Sequence, residues 1–408
     1  MKVLIAGAGL GGLCLAQGLR RAGFEVVVFE RDASPYARGQ GHRVHIDDRG
    51  EDALRACLPE PLFELFMRTR GQASERFMLI SAAGERLAEV PVPELPGGGA
   101  VIRNGRAVSR LTLREIMSAG VEIRYGKGFE RHTGEDGRVR AHFADGTSEA
   151  GDLLVGADGI GSAVRRSLLP HAEVIDMGLR WIGGKSPITA EIASAMPEGL
   201  ATAFAAVTDM DPAMLVGYLR FESDPRATAA KLVPGLRLSD PGDYVMWAIT
   251  MDKDRLAGAG ADLPGPGPHG EGESVTRGRL TGAYGDLSGP ELYREALKLT
   301  AGAHPTMRAI VERAWPEHTF YLTIGASAPV EPWEPGNVTL LGDALHAMPP
   351  ARGSGANTAL ADAASLTRHL VAGLPIGGYE SDLRERGFAA VRASAEAIES
   401  IARGIVPR

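Results

Sequence analysis

The chain has 408 residues, enough for two interwoven lobes with sizeable cores, and its 44% hydrophobic and 23% charged composition is ordinary for a water-soluble protein. A net charge of −7 argues against nucleic acid or an anionic membrane as the main partner. Two cysteines, Cys14 and Cys57, exclude a disulfide framework and point to a reducing, cytoplasmic compartment.

Lys2 to Ala6 reads as a short buried strand and Leu10 to Ala22 as a helix stopped by Gly23. Five glycines between Gly7 and Gly18 interrupt this apolar stretch, so a signal peptide is not expected. Glu25 to Glu30 is a second strand and completes a βαβ unit. Val121 to Tyr125 and Arg138 to Phe143 read as strands, Asp145-Gly146 as a hairpin turn, and Leu153 to Ala157 as a buried strand ending at Asp158-Gly159. From about Met177 to Thr323 strand-like runs, such as Leu215 to Phe221 and Tyr244 to Thr250, alternate with Pro- and Gly-containing loops. This region is expected to be a separate sheet-based lobe, with the glycine- and proline-rich stretch 257–272 as a mobile loop. Asn337 to Leu341 resumes the buried-strand pattern. In the tail, Phe388, Val391, Ala395, Ile398, Ala402 and Ile405 recur at helical spacing and predict a helix docked on the body. No uninterrupted apolar run reaches the ~18 residues of a membrane span.

Three segments carry chemistry. In the first, Gly7 permits a tight strand-to-helix turn, Gly9 lets backbone approach a pyrophosphate, and Gly12 allows close helix packing. Leu10, Gly11 and Gly12 open the helix, whose N–H groups favour phosphate. Glu30, at the end of the second strand, is placed to accept from ribose hydroxyls. In the second segment Asp158 sits at a strand's carboxyl end, where open α/β sheets bind ligands, and it is equally placed to cap the helix that follows. In the third, Asp343 follows the strand Val338 to Leu341 and is placed to hydrogen-bond a ribityl hydroxyl. Pro349 and Pro350 then lead into Gly353-Ser354-Gly355-Ala356-Asn357, which starts a helix suited to negative charge at the flavin N1–C2=O edge. A cofactor with two ends, gripped by the chain's first residues and by its last third, points to non-covalent FAD rather than NAD.

These motifs together resemble the single-component FAD-dependent aromatic hydroxylases, the para-hydroxybenzoate and salicylate hydroxylase superfamily. The matching runs are GAGLGG with Glu30-Arg31, DLLVGADGIGSAVR, and GDALHAMPP continuing into GSGAN and LADAA. Arg110, in SRLTLR, is similar to the family arginine that reaches FAD, and Arg43 to an arginine near the cofactor. Ser354 stands where the family usually has Gln, and Gly161 where a larger residue is common. The resemblance implies an α/β fold with a glutathione-reductase-type Rossmann FAD domain of segments 1–73, 108–176 and 326–372. Interleaved with it would be a smaller sheet-based α+β substrate domain of 74–107 and 177–325, followed by a C-terminal helical segment, 373–408; an added thioredoxin-like domain is not expected.

The implied activity is a monooxygenase: NAD(P)H, a transient visitor, reduces FAD, and O2 forms a flavin C4a-hydroperoxide. One oxygen atom then passes to an aromatic or polycyclic substrate, secondary metabolites included. A reductase or oxidase on the same fold is the alternative. The Trp-x-Trp-x-Ile-Pro element of flavin halogenases is missing, since Trp181, Trp247, Trp315 and Trp333 stand alone. No metal is expected, because the ten histidines form no close-set cluster. His45, Tyr218, Arg220 and Trp247 are candidates for the substrate pocket; the residues name no base and no oligomeric state.

Overall fold

A computed structural model describes residues 1–37, 42–72, 76–91, 105–135, 137–196, 199–200, 203–207, 209–239, 242–253 and 287–402. The stretch 257–272, expected to be a mobile loop, and Ile405 of the tail stripe lie outside the described residues. The chain begins β1 (Lys2–Ala6), α1 (Leu10–Arg21), β2 (Glu25–Glu30), β3 (Arg43–Ile46), α2 (Asp48–Cys57), α3 (Glu60–Arg68), β4 (Arg76–Ile80), β5 (Arg86–Pro91), β6 (Arg106–Ser109) and α4 (Arg110–Ser118). It continues with β7 (Ile123–Tyr125), β8 (Phe129–Glu135), β9 (Arg138–Phe143), β10 (Ser148–Gly151), β11 (Leu153–Gly156) and α5 (Ala163–Leu168). Next come β12 (Val174–Pro187), α6 (Ala190–Ala195), β13 (Ala203–Val207), β14 (Ala213–Leu219), α7 (Pro225–Leu232) and β15 (Tyr244–Asp252). The last part holds α8 (Gly289–Leu299), α9 (Pro305–Glu312), β16 (Phe320–Ser327), β17 (Val338–Leu340), α10 (Asp343–His346), α11 (Ser354–Val371) and α12 (Ile376–Ala402).

Two sheets organise the molecule. The first has five strands in the order β17-β11-β1-β2-β7, all parallel. Its central strands are apolar on both faces and buried, as a sheet covered on both sides requires. Helices α1 and α11 come close through small residues. A Cβ on Gly11 would lie 2.4 Å from Leu341 and 3.2 Å from Ala359, and one on Gly18 would lie 2.7 Å from Thr367. The antiparallel meander β10-β9-β8 flanks this lobe, with Gly146 at φ 80° in the β9–β10 turn.

The second sheet has seven strands in the order β16-β12-β15-β14-β13-β4-β5, antiparallel except for the β13–β4 pair. Alternation along its strands sorts the side chains. Val245, Trp247 and Ile249 of β15, Val216 and Tyr218 of β14, and Ile182 of β12 form one core with Leu292 of α8 and Met307, Ile310 and Val311 of α9. The opposite face carries Tyr244, Met246 and Leu219, which pack with Ala107 of β6 from the first lobe. That second face meets the first lobe at Tyr244, whose hydroxyl donates to the His42 carbonyl, and at Phe204, which lies under Arg43. The tail helix α12 buries Phe388 and Val391 in the first lobe's core, as the apolar stripe predicts.

Trp247 has no exposed surface, and its indole N–H donates to Ser186 Oγ at 3.1 Å. Trp247→Ala therefore leaves a large cavity under the helices and is expected to cost about 3–5 kcal/mol. Urea unfolding of the two proteins checks this; a loss under about 1 kcal/mol would contradict the core assignment.

Candidate active site

Four parallel strands end on one edge, and each delivers a candidate ligand residue there. β1 runs into Gly7, β2 ends at Glu30, β11 leads to Asp158, and β17 leads to Asp343. Gly7 has φ 110°, and a Cβ on it would lie 2.3 Å from the Ala157 carbonyl oxygen, so only glycine fits. Gly12 is held the same way, its Cβ position falling 2.2 Å from Gly7 O. Gly9 differs. Its backbone is extended at φ −76°, and a Cβ there would meet nothing closer than Ala157 O at 4.0 Å. The surface in front of Gly9 is open.

Six of the twelve described α-helices begin under a side-chain cap: Asp47, Ser109, Ser162, Thr189, Asp224 and His304 accept from the first turns of α2, α4, α5, α6, α7 and α9. Helices α1 and α11 begin instead at Gly9 and Gly353, with no side-chain cap and no acidic residue in the first turn. Gly353 takes a left-handed conformation at φ 61° after the 3-10 turn Pro350–Arg352, whose Pro350 is exposed. Gly355 and Ala356 lie in the half-buried first turn of α11. Both helix starts thus keep N–H groups and positive dipole ends for a ligand.

The charged groups at this edge are held by backbone. Glu30 is buried; Ala8 N–H donates to its Oε2 at 2.9 Å and Asp32 N–H to its Oε1 at 3.0 Å, which ties the acid to the glycine loop. Arg31 beside it is half exposed, 4.0 Å from Asp32. Asp158 caps α5: Ala163 N–H donates to Oδ2 at 2.7 Å, and the Ser162 hydroxyl to Oδ1 at 2.5 Å. Asp343 opens α10 with its side chain open to the edge, its Oδ1 3.8 Å from where a Gly355 Cβ would be. Protein atoms crowd it on its other sides, and this desolvation raises its pKa, the nearby Asp362 charge adding to the effect while His346 and Arg110 oppose it. Arg110 begins α4, and its N–H donates to the His42 carbonyl at 2.9 Å.

Asn357 is fully buried with its amide committed to protein. Its Oδ1 accepts from Asp47 N–H at 3.0 Å, and its Nδ2 donates to the carbonyls of His45 at 2.8 Å and Gly353 at 3.0 Å. Only its backbone faces the helix start. Arg43 stacks over Phe204 of the second sheet, 5.6 Å from the ring centroid, and so lies at the seam between the lobes. Burial lowers its pKa to about 10, which leaves it charged at neutral pH.

The pocket candidates divide by sheet face. His45 sits beside the left-handed Gly353, its Cβ 3.1 Å from where a glycine Cβ would be, and its Nε2 is buried without a hydrogen-bond partner. Trp247 and Tyr218 belong to the core cluster of the second sheet. They point into the core under α8 and α9, because the strand registers put odd residues of β15 and even residues of β14 on that face. Arg220, just beyond β14, stacks on Tyr218 at 5.4 Å. The opposite face of the sheet carries Phe204, Leu215, Tyr244, Met246, Trp181 and Lys185, identified through the pairs Phe204↔Gly217, Leu215↔Ala248, Leu219↔Tyr244, Lys185↔Met246 and Trp181↔Thr250. Lys185 is buried with its Nζ 5.0 Å from the Tyr244 centroid and 5.8 Å from that of Trp315.

Two arginines were given no role by the sequence reading. Arg114, one helical turn after Arg110, is buried; its Nε donates to Ala8 O at 3.1 Å and its Nη1 to Pro35 O at 2.5 Å. Arg165 donates to the carbonyls of Ala344 at 2.8 Å and Ile160 at 2.9 Å, joining the middle segment to α10. The four-residue spacing of Arg110 and Arg114 was the available signal for the first. The second closes the run DLLVGADGIGSAVR, which marked its position but not its carbonyl partners.

FAD fits these residues. The open surface at Gly9, the uncapped α1 and the buried Arg114 Nη2, which has no hydrogen-bond partner, suit a pyrophosphate. Asp343 and the start of α11 suit the flavin end. No group of three or more His, Cys, Asp or Glu that could hold a metal occurs among the described residues. None of their helices is long and apolar enough to cross a membrane.

Gly9→Ala separates fold from ligand. Its backbone suits alanine, so the apoprotein's stability is expected to change by less than about 0.5 kcal/mol, whereas FAD affinity falls at least about tenfold as the methyl occupies the pyrophosphate surface. Fluorescence titration checks this, and an unchanged Kd would contradict it. His45 provides a test in acid. Burial, followed by the Arg43 charge, lowers its pKa from 6.5 to about 4, so it protonates in the unfolded chain first. It therefore removes stability as pH falls from about 6.5 toward 4, by up to about 1.4 kcal/mol per pH unit. In His45→Leu the loss of unfolding free energy between pH 7 and pH 5 is expected to be smaller than in the parent; an equal loss would rule this out.

A family model described as FAD binding domain matches residues 1–183 and 314–383, more than half of the chain. The dual O-methyltransferase/FAD-dependent monooxygenase CTB3 of Cercospora beticola is 31% identical over 395 residues, covering 90% of this chain and 42% of that protein. This chain therefore spans about two fifths of that relative's length. The FAD-dependent monooxygenase dbaB of Emericella nidulans is 29% identical over 388 residues, covering 91% and 87% of the two chains. Among solved structures, 2,6-dihydroxypyridine-3-hydroxylase from Arthrobacter nicotinovorans superposes with a TM-score of 0.70 at 18% identity, covering 98% of this chain and 92% of that one. Klebsiella pneumoniae HpxO, solved with FAD and uric acid, gives 0.66 at 20%, covering 97% and 87%. The glycine loops, the parallel sheet's ligand edge and the family match agree: this chain belongs to the FAD binding domain family.

Proposed function

We propose that this protein is an FAD-dependent monooxygenase that inserts one oxygen atom of O2 into an aromatic or polycyclic substrate, with NAD(P)H as a transient reductant. The observation that carries this reading is the largely apolar face of the seven-stranded sheet, including Phe204, Leu215 and Met246, which meets the first lobe at Tyr244 and Phe204. Relatives named FAD-dependent monooxygenases support it. Bound FAD would supply electron transfer from nicotinamide and activation of O2.

The chain's own residues would orient and exclude water. The start of α11, uncapped and with a positive dipole end, would favour the negative charge that a reduced flavin carries. Asp343 would accept from the ribityl chain, and Glu30 from the adenosine ribose. Tyr244, whose hydroxyl donates to the His42 carbonyl at 2.8 Å, joins the substrate face to the cofactor lobe and closes the seam to water. His42 stays neutral there, its pKa pushed down to about 3 by burial and then by the Lys185 charge. The reading includes a discontinuous cofactor domain, a substrate domain built on the seven-stranded sheet, and action in the cytoplasm.

The test is turnover of the FAD-loaded protein with NADH or NADPH, phenolic and polycyclic aromatics, and 18O2, followed by product mass. A substrate-stimulated oxidation of nicotinamide that yields a product heavier by one 18O atom is expected. A reduced or dehydrogenated product with no 18O would contradict oxygen insertion and favour the reductase or oxidase.

A further inference from the structure

One buried carboxylate lies behind the flavin end and belongs to none of the motifs' assigned roles. Asp362, in the third turn of α11, has no exposed surface. Its Oδ2 accepts from Gly342 N–H at 3.1 Å and from His346 Nε2–H at 2.6 Å. Its Oδ1 receives both Nε and Nη2 of Arg386, at 2.9 and 2.7 Å, in a two-pronged contact from the C-terminal helix α12. Gly342 is the left-handed residue at φ 62° directly before Asp343, so this carboxylate fixes the turn that presents Asp343 to the cofactor.

Helix α12 is closely fitted to the same turn. The Tyr379 hydroxyl donates to the Leu340 carbonyl at 2.8 Å, at the end of β17. Gly387 passes directly over the His346 ring, where a Cβ would lie 2.3 Å from Cδ2. A carboxylate with no solvent contact needs a compensating charge. Arg386, with 30% of its side chain exposed, supplies it from the solvent side.

We infer that Arg386 of the C-terminal helix is a positioning residue of the flavin site, neutralising Asp362 behind the Gly342–Asp343 turn so that the site holds the more negative, reduced form of FAD. Without Arg386, Asp362 keeps only Gly342 N–H and His346 as partners, and more of its negative charge would act on Asp343 and on the flavin edge. With Asp362 made neutral, a negative charge is removed from behind the site. The two changes therefore act in opposite directions on the flavin, although both break the same contact. This inference rests on FAD binding by the family and not on oxygen insertion.

The experiment is a spectroelectrochemical titration of the FAD-loaded protein, with FAD affinity measured alongside. Arg386→Met is expected to move the two-electron midpoint potential to more negative values and weaken FAD binding about tenfold. Asp362→Asn, which keeps an acceptor for Gly342 N–H, is expected to move the potential to more positive values. The double variant Asp362→Asn with Arg386→Met should return close to the parent. If Arg386→Met does not fold, the sign of the Asp362→Asn shift and the double variant still decide. Shifts of the same sign in both single variants, or no shift, would overturn the inference and leave only a structural tie.

Discussion

The structure depends on the shared carboxyl edge of one parallel sheet. Because β1, β2, β11 and β17 run the same way, the residues that follow them emerge together, although they come from opposite ends of the chain. Such an edge is where open α/β sheets bind ligands, at the point where strand order reverses around the first strand. Here the edge is completed by two helices that begin on glycine and lack side-chain caps. Their free N–H groups are a stability cost in the empty protein that an anionic ligand offsets.

The seven-stranded sheet matters through its two faces. One is closed by α8 and α9 into an ordinary core, and the other meets the cofactor lobe through Tyr244, Arg43 and Phe204. Strand alternation alone decides which side chains meet the cofactor lobe, so a one-residue change of register would exchange the core for the pocket wall. The C-terminal helix is tied into this arrangement as well, since Arg386 and Tyr379 both reach the end of β17 and the turn after it.

Local pattern made the cofactor lobe readable. Lys2–Ala6, Glu25–Glu30 and Arg138–Phe143 form strands with the bounds their composition predicts, because each is a short run between glycine or turn residues. Gly7 and Gly12 were legible because their roles are set by neighbours a few residues away, and Gly353 because two prolines announce its turn. The substrate face was not legible. Trp247 and Tyr218 lie on strands buried on both sides, where no polar alternation reveals which face meets the ligand. Asp158 could be read as ligand or cap from its spacing, and its carboxylate is engaged with the start of α5. The Asp362–Arg386 contact spans two helices and rests on charge pairing in three dimensions, which no local periodicity encodes.

The central claim is a cofactor held at two ends, with the adenosine half contributing much of the affinity. Calorimetric titration of the apoprotein with FAD and, separately, with FMN tests it most directly. The account predicts one FAD per chain, bound on the order of 100-fold more tightly than FMN, which lacks the groups that the Gly9 loop and Glu30 would hold. Equal affinity for the two flavins would contradict it, because the β1–α1 edge would then contribute nothing to binding.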